Sequence, residues 1–272
     1  MDSRTIERAD GPDIHAVETG PTDARTLLFV HGISQHHLAW RGQFRSELAE
    51  EHHLVAVDLR GHGESETPAE GYDCSEAWAG DIQAVVEGLD LDEVVLVGWS
   101  YGSLVALDYL ATHGADRVAG AVLVGVVTGV GSDRTDGWLQ PGYLDLFPEL
   151  LSEDVETSID ALQRFVAQCV HGNPDPEDRY LTLGYNAAVP PRVRGAMLDR
   201  SVDHLDLLSE VPVPTLLVHG AHDGVVSPEA AEAAHDRLPE STLSVYPESG
   251  HTPFRENPER FAADLRAFLA EL

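Results

Sequence analysis

The chain has 272 residues, enough for one large buried core, and a 43% hydrophobic share excludes a disordered polymer. Asp and Glu total 47 against 17 cations, all of them Arg, for a formal charge of −30. A field this negative repels nucleic acid and anionic membrane, so neither is expected as a partner.

The first 20 residues are polar and acidic, without the basic start and apolar stretch of a secretory signal. With no apolar run near the ~18 residues of a membrane span, this sets the expectation of a cytoplasmic protein. Strand-like apolar runs follow at residues 14–18, 25–30, 54–58, 93–97, 118–124, 214–219 and 242–246. The middle ones are apolar almost throughout, as in parallel strands covered on both faces. Between them lie amphipathic runs at 75–89, 101–113, 228–238 and 258–272. Such alternation predicts a parallel sheet wrapped by helices. The last helix is expected to start at Pro258, behind Asn257 as its cap. From 128 to 210 the alternation stops. That stretch has helical patches and aromatic residues but no clear strand, and a structureless loop of such length is rare. It is expected to be a helical cap set into a core made of residues 1–127 and 211–272.

The chemistry centres on Gly98-Trp99-Ser100-Tyr101-Gly102. Gly-x-Ser-x-Gly alone is a weak signal, but here a strand precedes it and a helix follows. That context holds a Ser Oγ out above the end of a sheet. A hydroxyl needs a base to become a nucleophile. Of the 14 histidines, His251 stands on the loop between the last strand and the last helix, so it is the expected base. The acid that orients it should fall between Ser and His in chain order. Asp223, on the loop leaving the 214–219 strand, is preferred over Asp133. Donors for an oxyanion are expected from the backbone N–H of Tyr101 and, in His31-Gly32-Ile33-Ser34 after the 25–30 strand, that of Ile33.

Other chemistries find no motif. There is no dinucleotide or phosphate loop and no His-Glu-x-x-His. Cys74 and Cys169 fit neither a disulfide framework nor a zinc pattern. The adjacent pairs His36-His37 and His52-His53 could not both face one metal from a helix or strand, so they read as surface residues. Neither metal nor organic cofactor is expected.

Together, Phe29-Val30-His31-Gly32, the segment from Asp58 to Ser65 (Asp-Leu-Arg-Gly-His-Gly-Glu-Ser), the Ser100 elbow, Asp223 and His251 resemble the α/β-hydrolase superfamily, in the branch of serine esterases and non-haem haloperoxidases. The resemblance runs from about residue 24 to the C-terminus. It implies a mostly parallel eight-stranded sheet flanked by helices, with the cap inserted after the sixth strand. It treats 58–65 as a structural segment. Ser100, where dehalogenases and epoxide hydrolases of this fold carry Asp, implies acyl transfer, and the aromatic content of the cap points to a small to medium, partly apolar ester. Perhydrolysis, lactone cleavage and C–C hydrolysis use the same triad. A slow-turnover ligand receptor on this fold is the reading from another class.

Acid excess without Lys resembles cytoplasmic proteins of extreme halophiles. In dilute buffer, screening at ~0.01 M extends to about 30 Å, and like charges repel across the whole surface. At molar salt that range falls to about 3 Å. The melting temperature, followed by circular dichroism, is therefore expected to rise steeply between ~0.1 and ~2 M KCl. A flat or falling curve would remove the salt-adaptation reading.

Overall fold

The computed structural model describes residues 1–272. Ten strands form in chain order: β1 (Asp2–Ile6), β2 (Ile14–Thr19), β3 (Thr26–Val30), β4 (His53–Val57), β5 (Val94–Trp99), β6 (Val118–Val124), β7 (Gly129–Val130), β8 (Val202–Asp203), β9 (Thr215–Gly220) and β10 (Ser241–Tyr246). Eight of them make one sheet in the order β1-β2-β4-β3-β5-β6-β9-β10, antiparallel at β1/β2 and β2/β4 and parallel elsewhere. The expected mostly parallel eight-stranded sheet is present. Its first strand, β1, has no counterpart among the apolar runs of the sequence. It is an exposed edge strand held to β2 through the backbone, so no burial pattern marks it. The two-residue β7 and β8 pair only with each other.

Both faces of the sheet are covered. Leu28, Val30, Val55, Val57 and Leu96 pack into one apolar cluster, and Leu27, Phe29, Leu54, Ala56, Val95 and Val97 into the other. Alternate side chains thus enter opposite cores, which is why these strands read as continuous apolar runs. Helices Ser75–Gly88 and Tyr101–His113 pack against each other. Between β6 and β9 the chain makes short helical turns and three longer helices, Val155–Gln168, Pro176–Ala188 and Pro191–Leu198. No helix is long and apolar enough to cross a membrane. The final helix begins at Pro258 as expected, but Asn257 does not cap it. The Asn257 amide donates instead to Ser249 Oγ at 2.7 Å.

From β3 the chain passes to β4 on one side, and from β5 to β6 on the other. The crevice at the C-terminal ends of β3 and β5 is the topological switch point, where α/β sheets bind their ligands. The loop after β3 is held there by residues 58–65. Asp58 is fully buried and accepts the His37 and Glu64 N–H groups, at 2.8 and 3.1 Å. His62 Nε2 accepts the Ser34 N–H at 3.1 Å, while its Nδ1–H donates to Arg60 O. His31 Nε2 accepts the Leu59 N–H at 3.0 Å. This is the physical content of the 58–65 segment: it supports the loop that carries Ile33.

The paired histidines do not both lie on the surface. His37 and His53 are buried, His37 against Asp58 and His53 between Thr26 and Glu18. His15, His37 and Asp58 place nitrogen and carboxylate atoms within 4.8 Å of one another. Each Nδ1 faces the carboxylate at hydrogen-bond distance, 2.9 Å for His15 and 3.0 Å for His37. The cluster therefore presents protons to Asp58 rather than lone pairs to an ion.

Burial pushes His31 down to about 3 and His62 down to about 4. Unfolded, both rings titrate near 6.5. Between those values the unfolded chain binds more protons, so stability falls as pH drops below about 6.5, by roughly 2 kcal/mol per ring at pH 5. His15, raised by its hydrogen bond to Asp58, works in the opposite direction. Chemical denaturation from pH 7.5 to 5 is expected to give a steep loss, and His62→Gln a shallower slope from a lower starting stability. Parallel slopes for the two proteins would contradict the assignment.

Candidate active site

β5 ends in a tight turn. Ser100 has φ 55° and ψ −121°, a backbone conformation that L-residues rarely adopt, and it leads directly into the helix Tyr101–His113. The surrounding packing imposes this strain. A Cβ at Gly98 would lie 2.5 Å from Gly102 O, and one at Gly102 would lie 2.2 Å from Val30 O. Only glycine lets helix and strand pass so closely on either side of the serine. The Ser100 N–H donates to Val124 O at 2.8 Å, and its carbonyl accepts from the Ser103 N–H at 2.8 Å and Ser103 Oγ at 2.5 Å.

Two backbone donors flank the serine. Tyr101 is the first residue of its helix, where N–H groups have no intrahelical partner. In the turn after β3, Gln35 N–H bonds Gly32 O and Ser34 N–H goes to His62, which leaves the Ile33 N–H uncommitted. Gly32 lets this turn close on the elbow, since a Cβ there would meet Ser100 Cβ at 3.1 Å.

His251 and Asp223 arrive from the loops after β10 and β9. His251 Nδ1 lies 2.7 Å from Asp223 Oδ2, with both side chains buried. Asp133, the other acid weighed, is exposed at the start of a short helix. Asp223 Oδ1 accepts the Val225 and Val226 N–H groups at 2.8 and 2.9 Å. Burial alone would favour a neutral acid. The charge of His251 and the hydrogen bonds of His219 and His251 outweigh it, and hold the carboxyl well below the usual range. At Gly125, with φ +52°, a Cβ would lie 2.9 Å from His251 Nδ1, so the chain end of β6 clears the ring only as glycine.

His251 is fixed by its backbone as well. Trp99 Nε1–H, one residue before the serine, donates to His251 O at 2.8 Å. The His251 N–H donates to Cys169 O at 2.9 Å, at the end of the inserted helix Val155–Gln168. The Glu256 carboxylate accepts from the N–H groups of Gly250, Thr252 and His171. Glu256, Cys169 and His219 were absent from the sequence-derived site. A backbone acceptor or an outer carboxylate has no motif, and only His219 carried a local signal, its place at the end of the β9 run.

The inserted segment also grips the elbow helix. Arg200 Nη2 lies 2.9 Å from Asp108 Oδ2, both side chains fully buried, and Arg200 Nη1 donates to Tyr101 Oη at 3.0 Å. His204 Nε2 adds a contact to Asp108 at 2.8 Å.

Residues 25–258 match the α/β hydrolase fold family. Among solved structures, an esterase from Rhodococcus sp. ECU1013 is 38% identical, with a TM-score of 0.95 and complete coverage of both chains. A non-heme chloroperoxidase from Streptomyces lividans is 29% identical, covering 97% of this chain and 99% of that protein. A pimeloyl-[acyl-carrier protein] methyl ester esterase from Vibrio vulnificus is 28% identical, covering 90% of this chain and 94% of its own. With its serine elbow, its eight-stranded sheet and a match over most of its length, this chain belongs to the α/β hydrolase fold family.

Proposed function

We propose that the protein is a serine hydrolase that cleaves small to medium carboxylic esters through an acyl-enzyme on Ser100. The observation that carries this reading is a strained Ser100 whose neighbour Trp99 is bonded to the backbone of His251, itself paired with Asp223 at 2.7 Å. The esterase relatives support the choice of ester.

In the proposed cycle Ser100 Oγ attacks the ester carbonyl while His251 Nε2 takes its proton. The N–H groups of Ile33 and Tyr101 hold the oxyanion that forms. Asp223 remains ionised, fixes the ring with its proton on Nδ1 and stabilises the imidazolium. His251 then returns the proton to the leaving alcohol. Water, deprotonated by the same ring, cleaves the acyl-serine and restores Ser100. Residues 128–210 act as the cap over this site. The aromatic content of that segment, Trp138, Tyr143, Phe147, Phe165, Tyr180 and Tyr185, suits a partly apolar substrate. The acidic surface favours a small ligand over a nucleic acid or anionic membrane partner, in a salt-rich cytoplasm.

The chloroperoxidase relatives favour one second reading. Hydrogen peroxide in place of water at the acyl-serine would release a peracid and regenerate the same hydroxyl.

Ser100→Ala is expected to fold normally and to lose at least about a thousandfold in p-nitrophenyl ester turnover. A fluorophosphonate probe should label Ser100 and no other serine by peptide mapping. Retained activity in the alanine variant would overturn the assignment. A single-turnover burst with no steady state would favour the slow receptor. Running the wild-type assay with acetate and peroxide, and trapping peracid, separates the two enzymatic readings.

A further inference from the structure

Asp223 faces a second histidine. β9 ends at His219 and Gly220, and the His219 ring is fully buried. Its Nε2 lies 3.1 Å from Val226 O and 3.2 Å from Asp223 Oδ2. Both neighbours are acceptors, so Nε2 carries a hydrogen and donates to both. Its Nδ1 is buried without a partner. The carboxylate oxygen that accepts from His251 is thus shared, and the other oxygen is filled by Val225 and Val226.

From this geometry we infer that His219 is a positioning residue. Its Nε2–H fixes Asp223 Oδ2 toward His251 and draws off part of that oxygen's electron density, which sets the basicity of the catalytic imidazole. The inference rests on the triad reading above. The loop 223–226 folds back on itself, with Asp223 bonded to Val225 and Val226, and His219 bonded to Val226 O. His219 is the one side chain that reaches the acid from the strand beneath that loop. The titratable groups facing this pair are His251 across the carboxylate, Cys169 from the inserted segment and Glu229 on the helix Glu229–His235. Burial disfavours a charged His219 ring, but its bond to Asp223 and the Asp223 charge raise its proton affinity above the ordinary value. An ionised Asp223 and an Nε2–H on His219 therefore reinforce each other.

A donor removed from Asp223 leaves a more basic carboxylate, and hence a more stable imidazolium on His251. His219→Leu is expected to lower kcat about tenfold with KM little changed, and to move the acidic limb of the kcat/KM profile upward by about half a unit. His219→Gln keeps a donor at the Nε2 position and is expected to restore the limb and most of kcat. A loss in the leucine variant that glutamine does not rescue, with an unmoved acidic limb, would leave His219 with a packing role only and overturn the inference. Should the leucine variant fail to fold, ¹⁵N spectra of the wild-type ring decide. A protonated Nε2 supports the assignment, and a bare Nε2 sinks it. Fluorophosphonate labelling of Ser100 in each protein keeps the two readings apart. Labelled Ser100 with an indifferent His219 discards only this inference, whereas unlabelled Ser100 in the wild type discards the triad itself.

Discussion

The elbow helix lies so close to strand β3 that a single methyl group at position 102 would fall 2.2 Å from the Val30 carbonyl. Much of the site follows from that approach. The chain can turn from β5 into the helix within one residue only if Ser100 takes a positive φ, which lifts its side chain clear of the sheet. The same proximity places the β3 loop beside the serine, because Val30 pairs with Gly98 across the two strands. A backbone donor on each side of Ser100 is therefore a result of strand order and tight packing. The cost of the strained serine, of order 1–3 kcal/mol, is met by the surrounding core.

Two buried carboxylates do the remaining organising, and they are handled alike. Asp58 and Asp223 are each surrounded by backbone N–H groups and two histidine rings. An isolated buried charge would be expensive, and a protein with 47 acidic residues and 17 arginines has few cations to place inside. At these two acids histidine serves in their stead, whereas the buried Asp108 takes Arg200. Asp58 ties the segment after β3 to β2 and β4, and Asp223 ties His251 to β9. Both acids stay ionised, although for each burial acts against the charge and the donors prevail. The negative exterior and these donor-lined interior acids are separate solutions to the same surplus of carboxylates.

What could be read in the sequence was what burial or a motif marks. β3, β5, β6 and β9 are legible because both their faces are covered, and Ser100, His251 and Asp223 because chain order against those strands narrows the choice. β1 was not legible, since an exposed edge strand is specified by its partner's backbone. His37 and His53 read as surface residues because composition cannot tell which of two adjacent histidines turns inward. His62 lay within a segment recognised as structural, but its bond to the Ser34 amide depends on a turn 28 residues away. Glu256 and the Cys169 carbonyl are further from view still, because they hold the His251 loop through backbone atoms.

The Arg200–Asp108 pair has a consequence for how the chain comes to be folded. Asp108 belongs to the elbow helix, but its guanidinium partner lies 92 residues later, beyond the whole inserted segment. During synthesis the helix that carries Asp108 lacks this partner until residue 200 has left the ribosome. Before then it would bury an unpaired carboxylate, a penalty of about 3–5 kcal/mol. That is a large fraction of the 5–15 kcal/mol by which domains of this kind are stable. His204 reaches the same carboxylate four residues later and adds to the delay. The insert is therefore no detachable module. Trimming its returning end would deprive the elbow helix of its counterion.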